Sequence, residues 1–466
     1  MLNITFSLQP GSKTPLYHQL YQALAGQIRA GAIPTGARLP GKRALAQELG
    51  LSVHTVDTAY QMLAAEGSVE SRPRSGFAVL PYEEASFAPS AGHAPAPAEP
   101  DIPQWAFDLS TRGVDTDLFP FRAWGRIQKE LLYDSPQLLH HGPAQGDAEL
   151  RAALADYLAA YRGVRCTADQ IVVGAGAEYL LGLLAPLLAG VAAVEDPCYP
   201  RARTIFENSG LPCRLIPVDE GGLSVQALAQ TDANVCYVTP SHQFPTGVTM
   251  PAPRRAALLR WAARQPGQRF IIEDDYDSEF RFDIRPLPSL QGMAGGDGPV
   301  IYLSTCSRSL APGIRIAYLV LPRPLLARWK QRYGLYSSTV SRYEQQTLAR
   351  FIQQGHFTRH LARMRTEYKR RRDCLTEALY RAFGRNNIRL SGLHTGIHLL
   401  LTLHDGPTEE QMVAAARASG VQLAGLSGYF YGEAAHCPPS TVVLGYGTLD
   451  AAKADELSER LKYAWR

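Results

Sequence analysis

At 466 residues the chain is longer than one ordinary hydrophobic core can use, so at least two domains are expected. A formal net charge of +4 suits a modest nucleic-acid footprint, and no uninterrupted apolar stretch reaches membrane length, so a cytoplasmic protein without a membrane segment is expected. The seven cysteines, at 166, 198, 213, 236, 306, 374 and 437, are odd in number and lack metal-ligand spacing, which reads as core thiols and no metal.

The first 80 residues form one compositional block. After Pro15, apolar side chains recur at helical spacing (Leu16, Tyr17, Leu20, Leu24, Ile28), and Gly31 and Pro34 end the helix. LPGKRALAQELG predicts a short second helix closing at Gly50. Ser52 caps a third, HTVDTAYQMLAAEG, which buries Val56, Ala59, Tyr60 and Leu63 and stops at Gly67. VESRPRSGFAVL then predicts a basic hairpin with Arg72, Arg74 and Gly76 at its tip. Three helices followed by a basic hairpin is the plan of a winged helix-turn-helix, with the third helix in the major groove and the wing on the flanking backbone.

The order of LYHQLYQAL, RLPGKRALAQELG, TVDTAYQMLAAEG and SRPRSGFAV resembles the DNA-binding domain of the GntR regulators. The resemblance implies a double-stranded operator as partner, contacted by Lys42, Arg43, His54, Thr55, Arg72 and Gly76. Val53 stands where family members carry a recognition-helix arginine, so one contact common in the family is missing. Seven Lys/Arg against four acids in residues 1–80 is a small excess, so specific binding is expected to need a homodimer.

Residues 81–105 are rich in Pro, Ala, Ser and Gly with no apolar period, and read as a linker. From 106 to 466 short apolar runs alternate with helical segments, the signature of an α/β domain built on a mostly parallel sheet. Buried strands are expected at 171–173, 191–194, 235–238, 270–272, 300–303 and 317–321, with ligands collecting at their carboxyl ends. After the first of these, Gly176 and Ala177 open a helix and offer free amides to a phosphate. Tyr199 follows the next strand, and Asp274, Asp275 and Tyr276 end FIIEDDY.

The stretch YLSTCSRSLAPGIRIAY, 302–318, resembles the cofactor loop of fold-type I aminotransferases, where a lysine at the position of Arg308 forms a Schiff base with pyridoxal 5'-phosphate (PLP). With HGPAQGDAELRAALADYL, VTPSHQFPTGVTM and EDDYDSEFRF, the chain resembles the MocR subfamily, a GntR head fused to an aminotransferase-like domain with a smaller C-terminal α+β subdomain. That resemblance implies a homodimeric transcription regulator, in many members head-to-tail, that uses PLP and sometimes an amino compound as effector. It gives Tyr199 to ring stacking, Asp274 to the pyridinium nitrogen, Tyr276 to the ring hydroxyl and Arg315 to the phosphate, with Gly176, Ala177, Ser307 and Arg308 around them.

Several positions depart from the family. Arg308 replaces the lysine, and a guanidinium stays protonated and forms no imine. No lysine occurs between Lys129 and Lys330 to substitute for it. Ala177 and Glu178 replace a hydroxyl and a glutamine near the phosphate, HGPAQG replaces YGDPxG, and Val443 stands where the substrate-carboxylate arginine aligns. Glu178 is expected to repel a phosphate. Arg308 either pairs with the phosphate or a ring oxygen so that PLP or a related anion binds non-covalently, or salt-bridges Asp274 and fills the hole, or is a replacement introduced to abolish the imine. The expectation is a regulator whose large domain dimerises and senses a small ligand, catalytically inactive. The alternatives are an active PLP aminotransferase with a DNA-binding appendage and a ligand-independent dimeric repressor.

Overall fold

A computed structural model describes residues 14–72, 76–81, 105–283, 287–432 and 437–466. Arg74 of the wing tip and all but the ends of the expected linker lie outside the described residues. The chain divides into two compact units between Ile102 and Pro103.

In the first unit, α1 (Leu16–Arg29) buries Leu20, Tyr21, Leu24 and Ile28, a stripe at helical spacing. Helix α2 (Lys42–Leu49) ends at Gly50, whose φ of 65° is the left-handed conformation that glycine adopts at least cost. Ser52 Oγ accepts the Thr55 amide at 3.0 Å and opens α3 (Val53–Ala65). Strands β1 (Val69–Arg72) and β2 (Gly76–Val79) pair antiparallel, with Arg72 opposite Gly76. Tyr60 ties these parts together: its hydroxyl donates to the Pro40 carbonyl at 2.8 Å, and its ring meets Phe77 edge-on at 5.1 Å.

The second unit is built on an eight-stranded sheet. Its elements in chain order are β3 (Ile171–Gly174), α4 (Ala177–Leu184), β4 (Ala192–Asp196), α5 (Pro200–Asn208), β5 (Cys213–Asp219), β6 (Gly222–Leu223), β7 (Val235–Val238), β8 (Phe270–Asp274), β9 (Val300–Thr305) and β10 (Ala317–Val320). The spatial order is β3-β10-β9-β8-β7-β4-β5-β6. Strands β9, β8, β7, β4 and β5 pair parallel, and β10 runs antiparallel to both neighbours. The short connection 306–316 between β9 and β10 has no room for a crossover helix, so the chain must double back.

All six expected strands are present. Strands β5 and β6 lie outside the expected set because β5 is toward one margin of the sheet, where exposed and buried residues mix and Pro217 interrupts the apolar run. Beyond this sheet, α6 (His356–Phe383) packs Met364, Tyr368, Leu375 and Leu379 into the core of a smaller antiparallel sheet. That sheet comprises β11 (Ile388–Ser391), β12 (His398–Leu403), β13 (Ala424–Gly425) and β14 (Thr441–Gly445), in the order β11-β12-β14-β13. No helix among the described residues is long and apolar enough to cross a membrane.

Candidate ligand pocket and nucleic-acid interface

A cavity of about 360 Å³ opens at the carboxyl ends of β4, β8 and β9, within the size range of small-molecule sites. Ala177, Tyr199, Asp274, Tyr276, Ser307, Arg308 and Arg315 all line it. Gly176 sits directly behind Arg315, with a φ of +99°, and a Cβ there would collide with the Arg315 guanidinium. Glycine is therefore what lets Arg315 lie across the start of α4, where its Nη2 donates to the Ala175 carbonyl at 3.2 Å. A guanidinium beside the first amides of a helix is an anion seat.

The run Glu273 to Asp277 holds four carboxylates, and the fold gives each a different surrounding. Glu273 accepts the Leu290 and Gln291 amides, both at 2.9 Å. Burial acts to raise the Asp275 carboxyl, but Arg162 and the Tyr302 hydroxyl, both at 2.6 Å, overcome it and hold it below the usual range. Asp277 Oδ2 lies 2.8 Å from His242 Nδ1, and the Tyr276 hydroxyl donates to the His242 carbonyl at 3.0 Å. Only Asp274 faces the cavity. Burial pushes its carboxyl up to about 7 although the Tyr237 hydroxyl donates to Oδ2, and Oδ1 has no hydrogen-bond partner. Tyr199 caps α5, meets Phe244 edge-on at 5.6 Å, and lies under the Arg201 guanidinium at 5.5 Å.

Arg308 differs from Arg201 and Arg315, each of which has a partner. Among the described residues it makes no hydrogen bond and no ion pair, and its Nη1 is sealed from solvent. The expected alternative in which Arg308 salt-bridges Asp274 is therefore not realised: the two opposite charges line one cavity without pairing. Ser307 beside it is engaged locally, its hydroxyl 2.9 Å from that of Thr305.

Glu178 also needs correction. It forms an ion pair with Arg201, so the repulsion expected toward a phosphate is offset by a cation that sequence reading did not single out. Arg112 was missed as well. Burial, then the charges of Arg112 and Arg315, hold Arg201 below the usual arginine range, placing three cations near one another at the cavity. Arg201, two residues past Tyr199, was legible in principle, whereas Arg112 follows a segment with no signature and is brought in by the fold. Val443 is fully buried in β14 against Leu400 and Leu426 and does not line the cavity. His242, Asp277 and His398 converge with potential ligand atoms within 4.8 Å, a cluster invisible to local spacing because its members come from three distant segments.

Pyridoxal 5'-phosphate fits this set of donors and acceptors. The orphaned Asp274 Oδ1 could accept from a protonated ring nitrogen, and Arg315 with the start of α4 could hold the phosphate. Tyr199 could stack on the ring, and the unpartnered Arg308 guanidinium could donate to an oxygen.

In the first unit, Arg43, His54 and Arg72 are exposed, whereas Lys42 and Thr55 are half-buried. Lys42 pairs with Asp57 and lies 5.1 Å over the Phe77 ring. Thr55 Oγ1 is 2.8 Å from Ser52 Oγ. Arg72 pairs with Glu70 on its own strand. Gly76 has a φ of +81° with open space around it, so the turn itself demands glycine. Val53 opens α3 with 46% of its surface exposed.

Residues 16–79 match the gntR family of bacterial regulatory proteins, and residues 109–425 match the aminotransferase class I and II family. The HTH-type transcriptional regulator YdeL of Bacillus subtilis is 38% identical over the whole of both chains. The "probable rhizopine catabolism regulatory protein MocR" of Rhizobium meliloti is 32% identical, covering 98% of this chain and 95% of its own. The pyridoxine biosynthesis transcriptional regulator PdxR of Corynebacterium glutamicum is 32% identical over 97% and 96%. The multiple substrate aminotransferase of Thermococcus profundus superposes with a TM-score of 0.69 at 24% identity, covering 78% of this chain and 92% of that one, which establishes the fold of the large unit. The chain belongs to the MocR-type HTH transcriptional regulators, in which a GntR DNA-binding domain precedes a domain of the aminotransferase class I and II family.

Proposed function

We propose that this regulator binds its operator as a homodimer, in the head-to-tail arrangement, and that its large domain senses PLP or a closely related anion without covalent attachment and without turnover. The observation that carries this reading is the pair of unsatisfied, opposite charges in one cavity, Asp274 Oδ1 and Arg308 Nη1. A buried charge without a partner costs several kcal/mol, so a zwitterionic ligand that meets both relieves more strain than a simple anion does. A PLP ring protonated at nitrogen, with a negative ring oxygen and a phosphate, has that distribution. When bound, such a group supplies an electron sink to an aminotransferase. Here the residue that would exchange amines with it is a guanidinium, and the cavity lining holds no lysine.

On this reading Arg315, backed by Gly176 and the first amides at Ala177, orients the phosphate. Asp274 keeps the ring protonated, Tyr199 excludes water from one face, and Ser307 supports the Arg308 side of the loop. In the first unit, Arg43, His54 and Thr55 on the helices are assigned to the operator, with Lys42 and Arg72 as backbone contacts and Gly76 shaping the wing. The name of PdxR, which joins a chain of the same organisation to pyridoxine biosynthesis, also supports a pyridine ligand. Ligand binding acts on DNA affinity by linkage, through whichever domain arrangement binds the ligand more tightly.

The test is calorimetric titration of the full chain with PLP, beside gel-shift of the DNA upstream of its own gene with and without PLP at fixed salt. Binding that shifts operator affinity is expected. An absence of heat at sub-millimolar PLP would return the large domain to a dimerisation body, and conversion of any amino acid to its keto acid would restore the enzyme.

A further inference from the structure

We infer that Arg308 makes the pocket selective at the 4' position of a pyridine phosphate: an oxygen substituent is accepted and an ammonium is rejected. The inference rests on the cofactor reading above. With the ring nitrogen at Asp274 and the phosphate at Arg315, the carbon para to the nitrogen points away from Asp274. In the orientation that the family resemblance implies, Tyr276 meets the ring oxygen and Arg308 stands where the 4' group is met, and both line the cavity. Tyr276 is already committed, donating to the His242 carbonyl at 3.0 Å with its oxygen 3.0 Å from His242 Nδ1.

Arg308 is uncommitted, with Nη1 sealed from solvent and without a partner. A guanidinium has five donors and no acceptor, so it can satisfy an aldehyde, hydroxyl or carboxylate oxygen but offers nothing to an ammonium, which only donates. The amine of pyridoxamine 5'-phosphate is protonated at neutral pH. It would bring a second cation to a charge that no carboxylate among the described residues neutralises. A lysine at this position could release its proton and become neutral, whereas arginine cannot, so the selection follows from the guanidinium at position 308. The physiological ligand class is thereby narrowed to pyridine phosphates carrying oxygen at 4', neutral or anionic.

The clean pair of probes is pyridoxine 5'-phosphate and pyridoxamine 5'-phosphate, which differ there by a hydroxyl against an ammonium; neither reacts with surface lysines. Calorimetric titration of the full chain at pH 7.5 is expected to show the hydroxyl form binding at least about tenfold more tightly. In Arg308→Met the ratio is expected to fall within about threefold. Equal binding, or tighter binding of the amine by the unaltered protein, would overturn the inference while leaving the cofactor reading intact. An unchanged ratio in Arg308→Met would overturn it too, by moving the selection to another residue. Binding of neither probe, nor of PLP, would remove the cofactor reading and the inference with it.

Discussion

Asp274→Asn removes one charge from the cavity while keeping an oxygen for the Tyr237 hydroxyl to donate to. Burial lifts the Asp274 carboxyl from 3.8 to about 7, so above neutral pH the folded protein holds an ionised group that its surroundings disfavour. At about 1.4 kcal/mol per pH unit, that cost is roughly 4–5 kcal/mol, and water entering the cavity reduces it to roughly 2. The sign follows from proton uptake. Between 3.8 and about 7 the folded chain retains a proton that the unfolded chain has lost, so this contribution to stability is complete below 3.8 and fades as pH rises through 7. The ligand-free asparagine variant is therefore expected to melt several degrees above the unaltered protein at pH 8, with a smaller gap at pH 5.5. Scanning calorimetry of the full chain at both values measures this. Titration with pyridoxine 5'-phosphate should show the opposite effect, an affinity loss of about tenfold or more. A melting gap that does not widen with pH, or a variant less stable than its parent at pH 8, would refute the argument that Asp274 is a costly carboxylate kept for a cationic partner.

Arg308→Lys introduces a nucleophilic amine into the cavity, and borohydride treatment with PLP is expected to fix the cofactor to that residue, read by peptide mass; labelling elsewhere only would contradict the assigned orientation. Glu178→Gln frees Arg201 and is expected to tighten inorganic phosphate and PLP binding a few-fold, checked by calorimetry at low and high salt, the gain shrinking as salt rises. Arg43→Ala is expected to weaken operator binding by roughly tenfold and flatten its salt dependence, whereas Lys42→Ala, whose charge is already paired with Asp57, should cost less in the same gel-shift series. Equal losses at the two positions would mean that the Asp57 pair opens on DNA.

Much of the architecture was legible in order along the chain. Helix ends at Gly31 and Gly50, the Ser52 cap and the buried apolar runs are local facts, written into consecutive residues by capping, glycine conformation and burial. The same locality explains the misses: a strand near a sheet margin interrupted by Pro217 lacks the apolar signature, and β10 reverses direction only because its connection is short. The arginine at 308 was visible from sequence, as was the clustering of acids from Glu273 to Asp277.

Which of those acids faces the cavity was not visible, because it depends on Arg162, Tyr302 and His242 arriving from elsewhere to engage the others. Nor could sequence show that Arg201 neutralises Glu178, or that Arg308 and Asp274 line one space without touching. Composition and periodicity determine which elements form. Whether two charges pair depends on a separation of a few ångströms, and that distance exists only once distant segments have packed.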